Sequence, residues 1–298
     1  MIQAVDNIIT LISQNPVIYY PSVLILGLLI GSFLNVVIFR IPKMMEQEFR
    51  TECCDFLGVS NKKNKKNIIL TLSTPNSTCP SCDKSIKPWH NIPVISYLLL
   101  KGQCAYCKAA ISLRYPIIEA ATGLLSVLTI YWLGFNPEGL VALLLLWSLI
   151  SLTMIDFDTH LLPDSITLPL LWLGLIANSF GLYTSVEDAL WGAIFGYISL
   201  WSVYWLFKIV TGKEGMGYGD FKLLAVLGAW MGWQFLPLII LLSSFVGAAI
   251  GIAGIIIRGR DKNMPIPFGP YLAIAGWIAF IWGDNIIEYY FQFLGVTV

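Results

Sequence analysis

Residues 139–156 read Gly-Leu-Val-Ala-Leu-Leu-Leu-Leu-Trp-Ser-Leu-Ile-Ser-Leu-Thr-Met-Ile-Asp. An uncharged apolar run of this length approaches the ~20 residues that an α-helix needs to cross a bilayer core. The run stops on a carboxylate, Asp156. A second carboxylate, Asp220, opens another apolar stretch directly after Gly215-Met216-Gly217-Tyr218-Gly219. Charge at the margin of lipid is costly, and an ionisable residue kept there marks a functional site. Two such acids at one membrane face would form an acid pair.

Composition extends the membrane reading to the whole chain. Of 298 residues, 57% are hydrophobic and 12% are charged. Soluble domains average ~45–50% and ~25%. The fold class is therefore all-α and polytopic, surrounded by membrane lipid. Eight transmembrane helices are expected near 19–39, 116–134, 139–155, 164–182, 188–209, 221–234, 236–257 and 269–292. Lys plus Arg and Asp plus Glu balance at 18 each, so there is no net basic field to favour nucleic acid. No Lys or Arg precedes Arg40. A signal peptide begins with positive charge, so the first apolar segment stays as a span.

The basic residues set the orientation. Twelve fall in 40–114, and the other six are Lys208, Lys213, Lys222, Arg258, Arg260 and Lys262. Eight spans starting outside put all eighteen on one side. The loops near 135–138, 183–187 and 234–236 carry none. The positive-inside rule then places both termini outside and the 40–115 segment in the cytoplasm. The turns 156–163, 210–220 and 258–268 follow it, so Asp156 and Asp220 both reach the cytoplasmic face. The chain divides into a first transmembrane helix (1–39), a cytoplasmic four-cysteine domain (40–115) and a seven-helix membrane domain (116–298). Residues 61–67, Asn-Lys-Lys-Asn-Lys-Lys-Asn, read as a solvated flexible run. No repeat of 20–50 residues and no inverted-repeat symmetry is found.

Cys79-Pro80-Ser81-Cys82 and Cys104-Ala105-Tyr106-Cys107 are two Cys-x-x-Cys pairs. Their spacing is that of a four-cysteine zinc site, in which thiolates converge at ~2.3 Å from the metal. The reducing cytoplasm argues against disulfides. Four thiolates leave no open coordination position, so one structural zinc ion is expected, stapling a loop too small for its own core. Cys53 and Cys54 lack the spacing and read as bystanders, and His90 reads as a surface or packing residue.

Asp156, Asp158 and Asp164 cluster within nine residues. A calcium loop starting at Asp156 would need Gly at its sixth position and Glu at its twelfth, where Leu161 and Thr167 stand. Asp158 is expected to face water. Asp164 follows Pro163 at the start of a span and reads either as a helix cap or as an acid of the site. The glycines before Asp220 lack the preceding strand of a dinucleotide fingerprint. They instead permit tight, φ > 0 backbone near a substrate chain, which makes Gly217 and Gly219 candidate substrate contacts. They also bring Asp220 to a helix N-terminus, where the dipole favours an anion.

Taken in order, several motifs resemble the bacterial prepilin peptidases, or type IV leader peptidases. They are Gly31-Ser32-Phe33-Leu34-Asn35-Val36, the four-cysteine loop, Arg114-Tyr115-Pro116, Leu162-Pro163-Asp164, Gly217-Tyr218-Gly219-Asp220 and Pro265-Ile266-Pro267-Phe268-Gly269-Pro270-Tyr271. The resemblance runs from about residue 20 to 290 and implies a bacterial inner-membrane enzyme. It implies cleavage of the basic leader of type IV prepilins and type II secretion pseudopilins on the cytoplasmic side, after a glycine. It implies Asp156 and Asp220 as the catalytic pair, since the family's first aspartate precedes the Leu-Pro-Asp triplet. It further implies N-methylation of the new N-terminus with S-adenosylmethionine, although 40–115 shows no Gly-rich signature for that cofactor.

Glu46, Glu48 and Glu52 either attract a basic leader or form a solvated face. Asn35 is expected in helix packing, while Glu119 either packs or lines the site. The rival function is a proton- or cation-coupled transporter. It explains the carboxylates but neither the cysteine loop nor the glycine approach to Asp220.

Overall fold

A computed structural model describes residues 15–59, 70–258 and 267–295. The basic run 61–67, Arg260, Lys262 and the Pro265-Ile266 start of the last motif lie outside these residues. Among the described residues the elements are α1 (Pro16–Phe56), a short 3-10 turn (Pro88–His90), α2 (Ile95–Leu99), α3 (Arg114–Leu133), α4 (Pro137–Thr159), α5 (Asp164–Ser179), α6 (Val186–Thr211), α7 (Tyr218–Met231), a second 3-10 turn (Trp233–Phe235), α8 (Leu236–Arg258) and α9 (Gly269–Phe293). No β-strand occurs among them; two isolated β-bridges do.

Each expected span has its helix. Six are long and apolar enough to cross a membrane. The other two, α5 and α7, have 16 and 14 residues. At ~1.5 Å per residue they reach only ~24 and ~21 Å, short of a ~30 Å core. Helix α7 does not need the full length, because every residue from Leu223 to Met231 is buried by protein. A helix apolar all round belongs in an interior.

The chain forms two compact units, Met1–Leu143 and Leu144–Val298. In the first, α1 lies along α3. Its glycines Gly27 and Gly31 meet the backbone of α3, where an added Cβ would lie 2.8 Å from Gly123 Cα and 2.7 Å from Glu119 Cα. Small residues at such seams let membrane helices approach closely. Helix α1 runs past its expected end at residue 39 and past Pro42 to Phe56. Residues 43–50 (Lys-Met-Met-Glu-Gln-Glu-Phe-Arg) are mostly strong helix formers, which outweigh the one lost N–H at Pro42. The cysteine segment therefore begins on a helix rather than a loop.

Two polar anchors hold that segment to the first unit. Arg40, only 8% exposed, donates to the carbonyls of Thr71 (2.7 Å), Leu72 (3.3 Å) and Pro75 (2.6 Å). Glu119 accepts from the Val94 N–H at 2.8 Å, just ahead of α2. Asn35 donates to the Tyr115 carbonyl at 3.2 Å, as helix packing requires. Glu119 thus packs and ties a loop.

In the second unit α7 is the central helix. Helix α6 packs backbone to backbone against it, with Gly192 facing Gly228 and Gly196 facing the Leu224 carbonyl. Helix α5 ties α7 at both ends. At one end Lys222 Nζ reaches both carboxyl oxygens of Asp164, at 2.7 and 2.8 Å. At the other, buried Asn178 donates to the carbonyls of Ala229 (2.9 Å) and Trp230 (3.1 Å) and accepts from the N–H groups of Tyr183 and Thr184. Interhelical bonds of this kind contribute ~0.6–2 kcal/mol each. Trp230 Nε1 adds a bond of 2.9 Å to the Leu170 carbonyl.

Candidate active site and metal centre

Asp156 sits on the inner stripe of α4. Leu145, Leu149 and Leu152 are 0–3% exposed, and stepping on by four residues from Leu152 reaches Asp156. The helical period thus carries the acid inward, and it is 5% exposed. Its Oδ2 accepts from the Gly269 N–H, the first residue of α9, at 3.0 Å. Asp220 lies in the first turn of α7, 7% exposed. Its Oδ2 accepts from the Gly217 N–H at 3.2 Å. Each acid therefore has one carboxyl oxygen fixed by a backbone amide at the start of a helix.

Leu162 separates and spaces the two supports. A Cβ added to Gly219 would lie 2.7 Å from Leu162 Cβ, and one added to Gly269 would lie 3.2 Å from Leu162 Cδ1. One leucine thus fits both the glycine preceding Asp220 and the glycine whose N–H holds Asp156. Neither Gly217 (φ −86°) nor Gly219 adopts positive φ, contrary to the expectation for this stretch. Gly219 is required by the close approach of Leu162. At Gly217 an added Cβ would meet nothing nearer than 3.9 Å, so that face of the backbone is open. The positive φ falls earlier, at Gly212, which ends α6 in the left-handed region. Lys208 then reaches Glu214 at 2.9 Å and latches the connecting strap to α6.

Asp164 is not the cap of α5 but an ion-pair partner of α7. Pro163 occupies the cap position of α5, and Asp164 begins the helix, half exposed and paired with Lys222. Asp158 is exposed. Leu162, the Gly269 N–H and Lys222 carry the geometry of the site, and no spacing rule singled them out.

The four cysteines Cys79, Cys82, Cys104 and Cys107 converge, with their sulfurs all within 4.8 Å of one another. Cys79 Sγ and Cys107 Sγ are 3.8 Å apart, the edge of a tetrahedron with ~2.3 Å metal–sulfur bonds. Both pairs use the same turn. The N–H of Cys79 bonds the Lys84 carbonyl and that of Asp83 bonds the Cys79 carbonyl; Cys104, Ala109 and Lys108 repeat this. Asp83 and Lys108 both have positive φ, 54° and 61°. The amides of Cys107 and then Tyr106 hold the Cys104 thiol down to about 6. At Cys82 the Lys84 amide also lowers, but burial and the neighbouring sulfurs outweigh it and push that thiol up to about 11. Four sulfurs this close cannot all ionise alone, and a divalent cation is the partner this donor set fits. Cys53 and Cys54 stand apart on α1.

The chain matches the family model described as bacterial peptidase A24 N-terminal domain over residues 25–133 and that of the type IV leader peptidase family over 143–252. It is 56% identical to a prepilin leader peptidase/N-methyltransferase of Pseudomonas aeruginosa over 284 residues, 95% of this chain and 97% of that protein. A protein of the same name from Stutzerimonas stutzeri is 56% identical over 282 residues, again 95% and 97% of the two chains. One from Legionella pneumophila is 44% identical over 280 residues, 94% and 97%. No solved structure matches the chain. With relatives alike over nearly their whole lengths, and both halves matched in order, the chain belongs to the type IV leader peptidase family.

Proposed function

We propose that the protein is a membrane aspartic endopeptidase that removes the leaders of type IV prepilins and type II secretion pseudopilins, with Asp156 and Asp220 as its catalytic pair. The observation that supports the reading is two buried carboxyls on separate helices, each held through one oxygen by a backbone amide, with Leu162 packed against both Gly219 and Gly269. Like charges in one site share a proton. The ionised carboxyl takes a proton from water as the water oxygen bonds the scissile carbonyl carbon. The protonated one polarises that carbonyl, and the C–N bond then breaks as the leaving amine gains a proton. The open face of Gly217 admits the substrate backbone, with Gly219 beside it. The names of the relatives support the peptidase over an ion-coupled transporter.

The same names support a second activity, N-methylation of the new N-terminus. S-adenosylmethionine supplies an electrophilic methyl group: the amine nitrogen bonds the methyl carbon, the C–S bond breaks, and a proton leaves the nitrogen. Residues 40–115 would serve this step and 116–298 the cleavage, with one structural zinc on the four cysteines. The chain would lie in the bacterial inner membrane with both termini outside and the acid pair facing the cytoplasm, as its basic residues direct.

The test is cleavage of a prepilin-like peptide by the full-length protein in detergent. Asp156→Asn and Asp220→Asn should each abolish it. Either variant cleaving like the parent would remove that residue from the pair. A parent that never cleaves but moves protons across liposomes would restore the transporter reading.

A further inference from the structure

We infer that a polar hollow in the first unit, walled by α1 and the 70–91 segment, binds the adenosyl half of the methyl donor; this rests on the methyltransferase reading above. The hollow has a volume of about 310 Å3 and is lined by residues from three places in the chain. Arg40 builds it. Its three bonds to the Thr71, Leu72 and Pro75 carbonyls fold the loop over α1, and the Ser77 carbonyl accepts from the Ile86 N–H at 2.8 Å to close the opposite side.

The lining matches a nucleoside in kind. Leu72, Ile86 and Pro88 present apolar faces, suited to the flat sides of a purine. Ser73, Asn76, Ser77 and Asn91 present neutral hydroxyls and amides. Such groups both donate and accept, as ribose hydroxyls and a purine edge require. Three Arg40 N–H donors are engaged by the Thr71, Leu72 and Pro75 carbonyls, so the guanidinium shapes the wall, and the other lining side chains are uncharged. Ligand sites run from ~300 Å3 upward, so this volume suits a nucleoside better than the whole donor. The hollow opens beside the first cysteine turn, since Ile86 follows the β-bridge of Thr78 to Ser85. A metal staple there would hold one wall in place.

The probe is S-adenosylhomocysteine, which binds without reacting, titrated calorimetrically into the full-length protein in micelles. Ser77→Leu fills the hollow and Asn91→Ala removes an amide; each should weaken binding at least tenfold. Metal content and the unfolding midpoint, both as in the parent, establish that the variants fold. As an independent readout, Ser73→Cys at the rim is alkylated by a maleimide and located by mass spectrometry; the probe should slow that alkylation at least fivefold. Unchanged affinity in both Ser77→Leu and Asn91→Ala, or no protection at residue 73, overturns the assignment while methylation by the parent still stands. A parent that neither binds the probe nor methylates a cleaved peptide overturns the methyltransferase reading itself.

Discussion

Gly219→Ala is the sharpest probe of how the site is spaced. The new Cβ would lie 2.7 Å from Leu162 Cβ. Carbon atoms settle at ~3.5 Å or more, so something must yield by ~0.8 Å. Gly219 has no positive φ, so the change adds no backbone strain. It lies in the first turn of α7, where Ala gains up to ~1 kcal/mol over Gly in helix propensity. Overpacking costs ~1–3 kcal/mol, leaving global stability lower by about 0–3 kcal/mol. Activity should suffer far more. Leu162 also touches the Gly269 position, whose N–H holds Asp156, while residue 219 is bonded to Asp220. The displacement therefore reaches both acids, and a misplacement near ~1 Å can cost ~100-fold in rate. We expect peptide cleavage to fall about 10- to 100-fold, mostly in kcat. Leu162→Ala alone should cost less, and the double variant should recover at least about threefold over Gly219→Ala, because the clash is gone. A double variant as inactive as Gly219→Ala, or a fully active Gly219→Ala, would refute the spacing role of Leu162.

Other expectations follow from the same geometry. Asp164→Asn breaks an exposed ion pair worth ~0–1 kcal/mol, so cleavage should stay within about threefold of the parent; a loss above about 100-fold would return Asp164 to the acid pair. Cleavage should be bell-shaped in pH, since the pair works only while it holds one proton: acid fills both carboxyls and alkali empties both. A rate flat from about pH 4 to about pH 10 would exclude a shared proton. Elemental analysis should find one metal per chain, lost in Cys79→Ser and released by acid as protons displace it from the thiolates.

The membrane helices were legible because apolar length is a one-dimensional signal. The cysteine cluster was legible because its spacing repeats, and the repeat extends to matching turns at Cys79 and Cys104. Asp156 and Asp220 stood out by their cost at the ends of apolar runs. The contacts that join them did not stand out. Gly269 bonds Asp156 across 113 residues, and the Lys222–Asp164 pair spans 58; no local pattern encodes either. The glycine-rich strap suggested positive φ, whereas the structure spends Gly219 on steric room, and composition alone does not separate the two uses. The extension of α1 to Phe56 was masked by Pro42, which reads as a break but is overridden by its neighbours.

The seam between α6 and α7 has a consequence for depth. At Gly192 and Gly228 the two main chains touch with no side chain between them. Where flexible side chains mesh, a rod can creep along its neighbour by swapping rotamers; main chain against main chain offers no such play. Asp220 lies eight residues from Gly228, about 12 Å along the axis. The level of the Asp220 carboxyl is thus gauged by two hydrogen atoms about two turns further along the helix. Enlarging either glycine by one methyl group would reset that level without altering any group that handles water or peptide.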